Sequence, residues 1–158
     1  MSEKKPNPTG HELVITRIFN APRALVWQAW TDPKHVMQWW GPNGFSNSSC
    51  ESEMQVGGRF LLNMCAPDGN SYPCKGIYRE IKEPERIVYD SEADESHPCG
   101  AGLPPRSLVT ITFAEHGNKT TLTLHTRFET AARLDAANQA GYCISWGEAL
   151  GRLTTIIE

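Results

Sequence analysis

Between Ile15 and Gly58 the chain changes its local pattern several times in a fixed order, and that order limits what it can fold into. The β-branched run Ile15-Thr16-Arg17-Ile18-Phe19 favours a strand, because branched side chains pack well on a pleated surface. Ala21-Pro22 stops it. Proline has no N–H and a preset φ, so Pro22 suits the first turn of a helix. Leu25-Val26, Ala29 and Trp30 then recur at helical spacing. Thr31-Asp32-Pro33 reads as a restart, with Thr31 or Asp32 as N-cap and Pro33 at the first helical position. A short second helix from His35 to Trp39 ends after Trp39-Trp40 at Gly41-Pro42, and Gly57-Gly58 opens the next strand. Strand, two short helices and a glycine-led strand suggest a sheet wrapped around helices, with space for a ligand between them.

The middle of the chain alternates with period two, the signature of half-buried strands. Phe60, Leu62 and Met64 share a face, with Leu61 the exception, and Tyr72, Cys74, Gly76 and Tyr78 share the next one across the Ala66–Ser71 turn. Matching the inward sets predicts Met64 opposite Cys74 and Phe60 opposite Tyr78, since register follows the buried pattern. Cys65 would then point outward and could not bond to inward Cys74. Ile87 and Tyr89 mark a strand from Arg86 to Asp90. Val109, Ile111 and Phe113 face Leu122, Leu124, Thr126 and Phe128 across the His116-Gly117-Asn118 turn, the clearest hairpin in the chain.

From Leu134 the period becomes helical, and Cys143, Trp146, Leu150, Leu153 and Ile157 fall on one stripe. Gly147 and Gly151 cost about 1 kcal/mol each there relative to alanine. They mark either a close approach or open volume beside the helix, or simply a weak helix that the fold tolerates. The expected architecture is one α+β domain over residues 11–158, preceded by a frayed tail over 1–10. Six or seven antiparallel strands would be covered by a long helix over 134–158, the only long cover available.

Composition excludes several classes. Fifteen basic residues against eighteen acidic ones give a net charge of −3, and the basic residues are scattered, so no stripe for a nucleic-acid backbone exists. No apolar run reaches the roughly 18 residues that a bilayer span needs, and the first ten residues carry no secretory apolar segment. Cys50, Cys65, Cys74, Cys99 and Cys143 are odd in number, irregularly spaced and without C-x-x-C. This points to reduced thiols in a cytoplasmic protein rather than a disulfide scaffold or zinc site. His11, His35, His97, His116 and His125 have no partner at metal spacing, so neither a metal nor a cofactor is expected.

Taken together, several motifs resemble one family. Ile18-Phe19-Asn20-Ala21-Pro22, Val26-Trp27-Gln28-Ala29-Trp30, Thr31-Asp32-Pro33, Trp39-Trp40-Gly41-Pro42 and Gly57-Gly58-Arg59-Phe60 resemble proteins similar to the C-terminal domain of the Hsp90 ATPase activator. So do Gly76-x-Tyr78-Arg79-Glu80-Ile81, Pro84-Glu85-Arg86-Ile87 and the late helix with Gly141 and Trp146. The resemblance places the chain in the START/Bet v 1-like (SRPBCC) superfamily. It implies the helix-grip fold, a curved antiparallel sheet around a long C-terminal helix and an elongated cavity. Superfamily members bind lipids, hormones, polyketides or other apolar molecules, some are cyclases or hydrolases, and the eukaryotic namesake stimulates Hsp90. An Hsp90-like chaperone partner is implied by this resemblance alone.

The residues themselves favour an apolar small molecule as partner, held in a cavity of at least about 300 Å³. Candidate contacts are Trp39 and Trp40, of which one is core and the other at the pocket mouth. Met64, Cys74, Tyr78 and Tyr89 join them from the inward sheet face, and Cys143 and Trp146 from the facing helix. No compact catalytic constellation stands out. A cyclase, hydratase or hydrolase in the same cavity would need a Tyr, His, Asp or Glu with a displaced pKa inside it. A third reading, a protein-interaction module, would use the long loop from Glu92 to Arg106. The weakly charged outward positions Thr121, Thr123 and His125, with Leu61 and Cys65, leave a weak homodimer open.

Overall fold

A computed structural model of the protein describes residues 12–41, 43–91, 107–139 and 142–158. The expected tail over 1–10, the loop over 92–106 with His97 and Cys99, and Gly141 lie outside the described residues. The chain begins with β1 (Glu12–Phe19), α1 (Arg23–Thr31) and α2 (Pro33–Trp39), as the proline signals require. Asp32 caps α2, its Oδ1 accepting from the Lys34 N–H at 3.0 Å, with Pro33 in the first turn. The remaining strands are β2 (Ser46–Ser52), β3 (Arg59–Cys65), β4 (Ser71–Lys82), β5 (Arg86–Ser91), β6 (Ser107–His116) and β7 (Lys119–Phe128). They are followed by α3 (Ala131–Gln139) and α4 (Tyr142–Ile157).

All strand pairs are antiparallel, in the order β1-β7-β6-β5-β4-β3-β2. The sheet curves and carries its apolar set inward, with α4 packed against α1, α2 and β1. This is the helix-grip architecture. The hairpin β6–β7 forms as the alternation requires, with Val109, Ile111, Phe113, Leu122, Leu124 and Phe128 all buried.

The sequence reading is corrected at four points. The strand β2, Ser-Asn-Ser-Ser-Cys-Glu-Ser, was not anticipated, because it carries no apolar alternation. The β3–β4 register is Met64 opposite Tyr72, Leu62 opposite Cys74 and Phe60 opposite Gly76, two residues from the expected pairing. A shift of two preserves the faces, so Cys65 and Cys74 still point apart, and no disulfide joins the described cysteines. The cause of the shift is steric: the Phe60 ring lies over Gly76, where an added Cβ would sit 2.3 Å from Cε2 of the ring. A tyrosine opposite Phe60 would forfeit that contact.

The third correction concerns where the C-terminal helical part begins, since α3 starts at Ala131 rather than at 134, ahead of the long α4. The fourth is Cys143, which is exposed rather than inward. Its azimuth matches the stripe of Trp146, Leu150 and Leu153, but burial on α4 begins only at Ser145, and Ile144 is 69% exposed. Periodicity gives a direction around the helix axis. It does not give the length of the surface that covers it.

At and just beyond the end of α2, four carbonyls, those of Met37, Trp39, Trp40 and Gly41, are met by side chains from elsewhere. Arg152 of α4 donates through Nη1 to the carbonyl oxygens of Trp39 (3.0 Å) and Gly41 (2.9 Å), and through Nη2 to Asn43 Oδ1 (3.0 Å). Asn47 of β2 donates through Nδ2 to the carbonyls of Met37 and Trp40. The two tryptophans are thus pinned between the last helix and the sheet.

Three substitutions test this packing by urea denaturation. Arg152→Met is expected to cost about 1.5–3 kcal/mol, the scale of hydrogen bonds to a charged donor. Gly76→Ala should cost about 1–3 kcal/mol by overpacking. In contrast, a Cβ on Gly147 meets nothing within 4 Å, so Gly147→Ala should stabilise by about 0.5–1 kcal/mol. A destabilised Gly147→Ala would show that the glycine serves a close approach after all.

Candidate functional site: an aromatic-roofed cavity

The concave face of the sheet and the two short helices enclose a cavity of about 40 Å³. The floor comes from the sheet: Cys50 and Ser52 of β2, Phe60 and Leu62 of β3, Tyr78 of β4, Ile87 and Tyr89 of β5, and Ile111 of β6. The roof is Trp30 and Thr31 of α1, Pro33 and Val36 of α2, and Trp40 just after it. The volume holds about three waters and falls well short of the ~300 Å³ expected from sequence. The rings account for the difference. Phe60 lies 4.9 Å from Tyr89 and 5.5 Å from Tyr78 between centroids, and Trp40 leans on Trp30 and Trp146.

Tyr78 owes its position to the glycine pair read earlier as a strand opening. The Gly57 N–H donates to the Tyr78 carbonyl (2.8 Å) and the Tyr78 N–H to the Gly58 carbonyl (2.9 Å). Gly57 has φ +85°, and a Cβ on Gly58 would lie 2.3 Å from the Glu53 carbonyl oxygen, so both positions require glycine. A bulge between Tyr78 and Glu80 shifts the register with β5, and pairing resumes at Glu80 opposite Val88. The Tyr78 hydroxyl meets Ser52 Oγ at 2.9 Å.

This pair and the neighbouring Cys50 thiol form a polar corner in an otherwise apolar wall. Burial pushes the Tyr78 hydroxyl up from its ordinary value, partly offset by the Ser52 hydrogen bond. The Cys50 thiol is pushed up to about 11, by burial first and then by the Asp32 and Glu51 carboxylates. Both groups are therefore neutral at pH 7. The described wall contains no Asp, Glu, His, Lys or Arg, so it presents hydroxyl, thiol and indole groups and no charge.

Of the residues singled out from sequence, Trp40, Tyr78 and Tyr89 lie on this wall. Trp39 is fully buried against Trp30, its Nε1 donating to the Ala29 carbonyl at 3.0 Å; it supports the roof from behind. Met64 is buried beneath the turn, its Sδ 3.1 Å from where a Cβ on Gly41 would be. Cys74 is buried opposite Leu62. Trp146 stacks on Trp30, with centroids 5.8 Å apart and planes inclined by 14°, and Cys143 is exposed. Cys50 and Ser52 were missed with their strand. Of the remaining wall residues, Thr31 and Pro33 carried a helix-start signal, and Trp30, Val36, Phe60, Leu62, Ile87 and Ile111 a core signal that does not separate lining from filling.

Thr31 lines this cavity and also an open outer groove formed with Ala24, Trp27, Gln28, Asp32, Met54, Ile81 and Glu83. It thus stands between the two spaces, at the extended Asp32 (φ −84°, ψ 117°) where α1 passes into α2. No described helix is long and apolar enough to cross a membrane.

Comparison with known proteins agrees with this architecture. The crystal structure of protein Ms6760 from Mycobacterium smegmatis is similar over 98% of this chain and 94% of its own, at 24% identity and a TM-score of 0.82. The solution structure of a protein from Arthrobacter aurescens matches over 97% and 89%, at 22% identity and a TM-score of 0.83. That of a protein from Aeromonas hydrophila described as like the activator of Hsp90 ATPase homologue 1 matches over 91% and 94%, at 20% identity and a TM-score of 0.69. No curated protein matches the sequence. The sequence profile described as "Activator of Hsp90 ATPase homolog 1-like protein" matches residues 20–158, and the chain belongs to that family.

Proposed function

We propose that this protein binds a small, largely apolar molecule between the α1–α2 roof and the concave face of the sheet. The observation that carries the reading is the wall itself: apolar and aromatic side chains from six elements converge on one space, with few and neutral polar groups, chiefly the corner at Ser52, Tyr78 and Cys50. Ligand sites are built in this way, with many apolar contacts and few polar groups that fix orientation. The small volume implies that a ligand enters by displacing part of the roof. The Thr31–Pro33 junction is the favoured place, since only Thr31 among the wall residues also faces the outer groove.

The neutral wall weighs against a cyclase, hydratase or hydrolase, because general acid–base work at neutral pH needs a group that titrates near that pH. The Cys50 thiol, pushed up to about 11, is almost wholly protonated at pH 7. An Hsp90-like partner and a homodimer find no specific support in the described contacts.

Native mass spectrometry of protein purified without denaturation tests the binding reading. The expected result is a bound or bindable apolar compound that is lost in Val36→Phe, which fills the cavity. Wild type and variant that both refuse a panel of small apolar compounds would contradict it. The polar corner has its own test in the pH dependence of alkylation. Cys50 should resist iodoacetamide at pH 8 and react only as pH approaches about 11, read by peptide mass mapping. Rapid alkylation of Cys50 at pH 8 would show an activated thiolate and revive the enzyme reading.

A further inference from the structure

The indole N–H groups of the roof are treated unequally by the fold. Trp39 Nε1 donates to the Ala29 carbonyl, so the chain provides an acceptor where an indole is purely structural. Trp30 Nε1 and Trp146 Nε1 are buried and have no acceptor among the described residues. The side chains are themselves buried, with 6% and 4% of their surface exposed. An unmet buried donor costs about 1–3 kcal/mol, and buried polar groups in native proteins are nearly always met by something.

Their surroundings differ. Trp30 lines the cavity. Trp146 borders a separate void of about 10 Å³ with Trp40, Gly41, Ser145 and Ala149, at most the space of one water. Of these two rings only that of Trp30 therefore borders space that a ligand can enlarge by moving the roof, and its Nε1, which has no open surface in the closed cavity, is reached through that movement.

Among the other polar groups on the described wall, which include the Tyr89 hydroxyl and the Cys50 thiol, the Ser52–Tyr78 pair adds to the same demand. The Ser52–Tyr78 hydroxyl pair uses one of its two protons in the mutual hydrogen bond and has the other to give. Thr31 Oγ1 donates to the Trp27 carbonyl and so has no proton left for the cavity. Donors remain, and no cation stands on the wall to receive an anion. Burying a carboxylate there would cost far more than a neutral hydrogen bond returns.

We infer that the ligand of this cavity is a neutral ring compound bearing a hydrogen-bond acceptor of the carbonyl type, and that Trp30 Nε1–H donates to that oxygen. The inference rests on the binding reading above and narrows it. Neither a pure hydrocarbon nor a carboxylate meets the demand of the wall.

The test uses three probes of closely similar shape: acetophenone, α-methylstyrene, in which a methylene replaces the carbonyl oxygen, and benzoate. Each is titrated into the 15N-labelled protein, with affinities from chemical-shift changes and the Trp30 indole N–H resonance as direct reporter. Acetophenone is expected to bind at least about twofold more tightly than α-methylstyrene, the lower range of one net hydrogen bond. It should move the Trp30 indole proton downfield and leave that of Trp146 in place, while benzoate binds more weakly than either. In Trp30→Phe the ketone preference should vanish.

Should that variant not fold, the wild-type indole shift decides alone. Equal affinities for ketone and styrene with an unmoved Trp30 resonance overturn the inference while leaving the binding reading intact. Tightest binding by benzoate overturns the requirement for neutrality. A Trp30 proton already at a hydrogen-bonded position in the free protein and unmoved by ketone assigns the donor to a buried water, and the inference falls. Failure of all three probes to perturb Ile87, Ile111 or Trp30 removes the binding reading itself and the inference with it.

Discussion

Trp30 touches aromatic rings from α2, from α4 and from the sheet itself. Its centroid lies 4.6 Å from Trp39 and 6.4 Å from Trp40 at the end of α2, 6.3 Å from Phe113 on β6, and 5.8 Å from Trp146 on α4. A buried tryptophan removes about 200 Å² from water, a gross gain of roughly 5 kcal/mol. A solvent-exposed pair such as Arg86–Glu80 on the outer sheet surface contributes far less, because water screens it. The arrangement of helices over the sheet therefore follows from where these rings can stack, and the polar contacts refine it. The Arg152 and Asn47 hydrogen bonds to the Trp39–Gly41 carbonyls are the main refinement, because they fix the backbone from which Trp40 hangs.

The same rings define the candidate site. Trp40 touches both the cavity and the smaller void beside Trp146, so the roof is a single layer of side chains with incomplete packing on either side. Below it, Phe60 over Gly76 and the Tyr78 backbone bound to Gly57 and Gly58 set the floor. A cavity persists between roof and floor because flat rings at tilted angles cannot close-pack against a curved sheet as branched aliphatic chains do. The polar corner sits where β2 meets β4 through Ser52 and Tyr78.

Most of the fold was legible because it is written in periodicity and punctuation. Pro22 and Pro33 announced the two helices, the alternation through Val109–Phe113 and Leu122–Phe128 announced the hairpin, and Trp146, Leu150 and Leu153 gave the buried stripe of α4. Less of the site was legible. The strand Ser46–Ser52 forms because its neighbour β3 needs a partner for its ladder, a tertiary cause with no local apolar pattern, and with it went Cys50 and Ser52. The β3–β4 register depended on one ring resting on one glycine, which parity does not reveal. Exposure of Cys143 depended on where the covering surface stops. Whether Trp39 or Trp40 faced the cavity turned on a single hydrogen bond, Trp39 Nε1 to Ala29, that no spacing rule contains.

The account stands on one claim, that an unfilled apolar space lies between Trp40 and the sheet, bounded by Tyr78, Ile87 and Ile111. Apolar cavities of this kind stay dry and take up xenon. Crystals pressurised with xenon and measured for its anomalous scattering should show an atom in that space, within contact of the Trp40 ring and the Ile111 side chain. Ordered waters at the same position, or a cavity closed by side chains with no xenon bound, would contradict the claim.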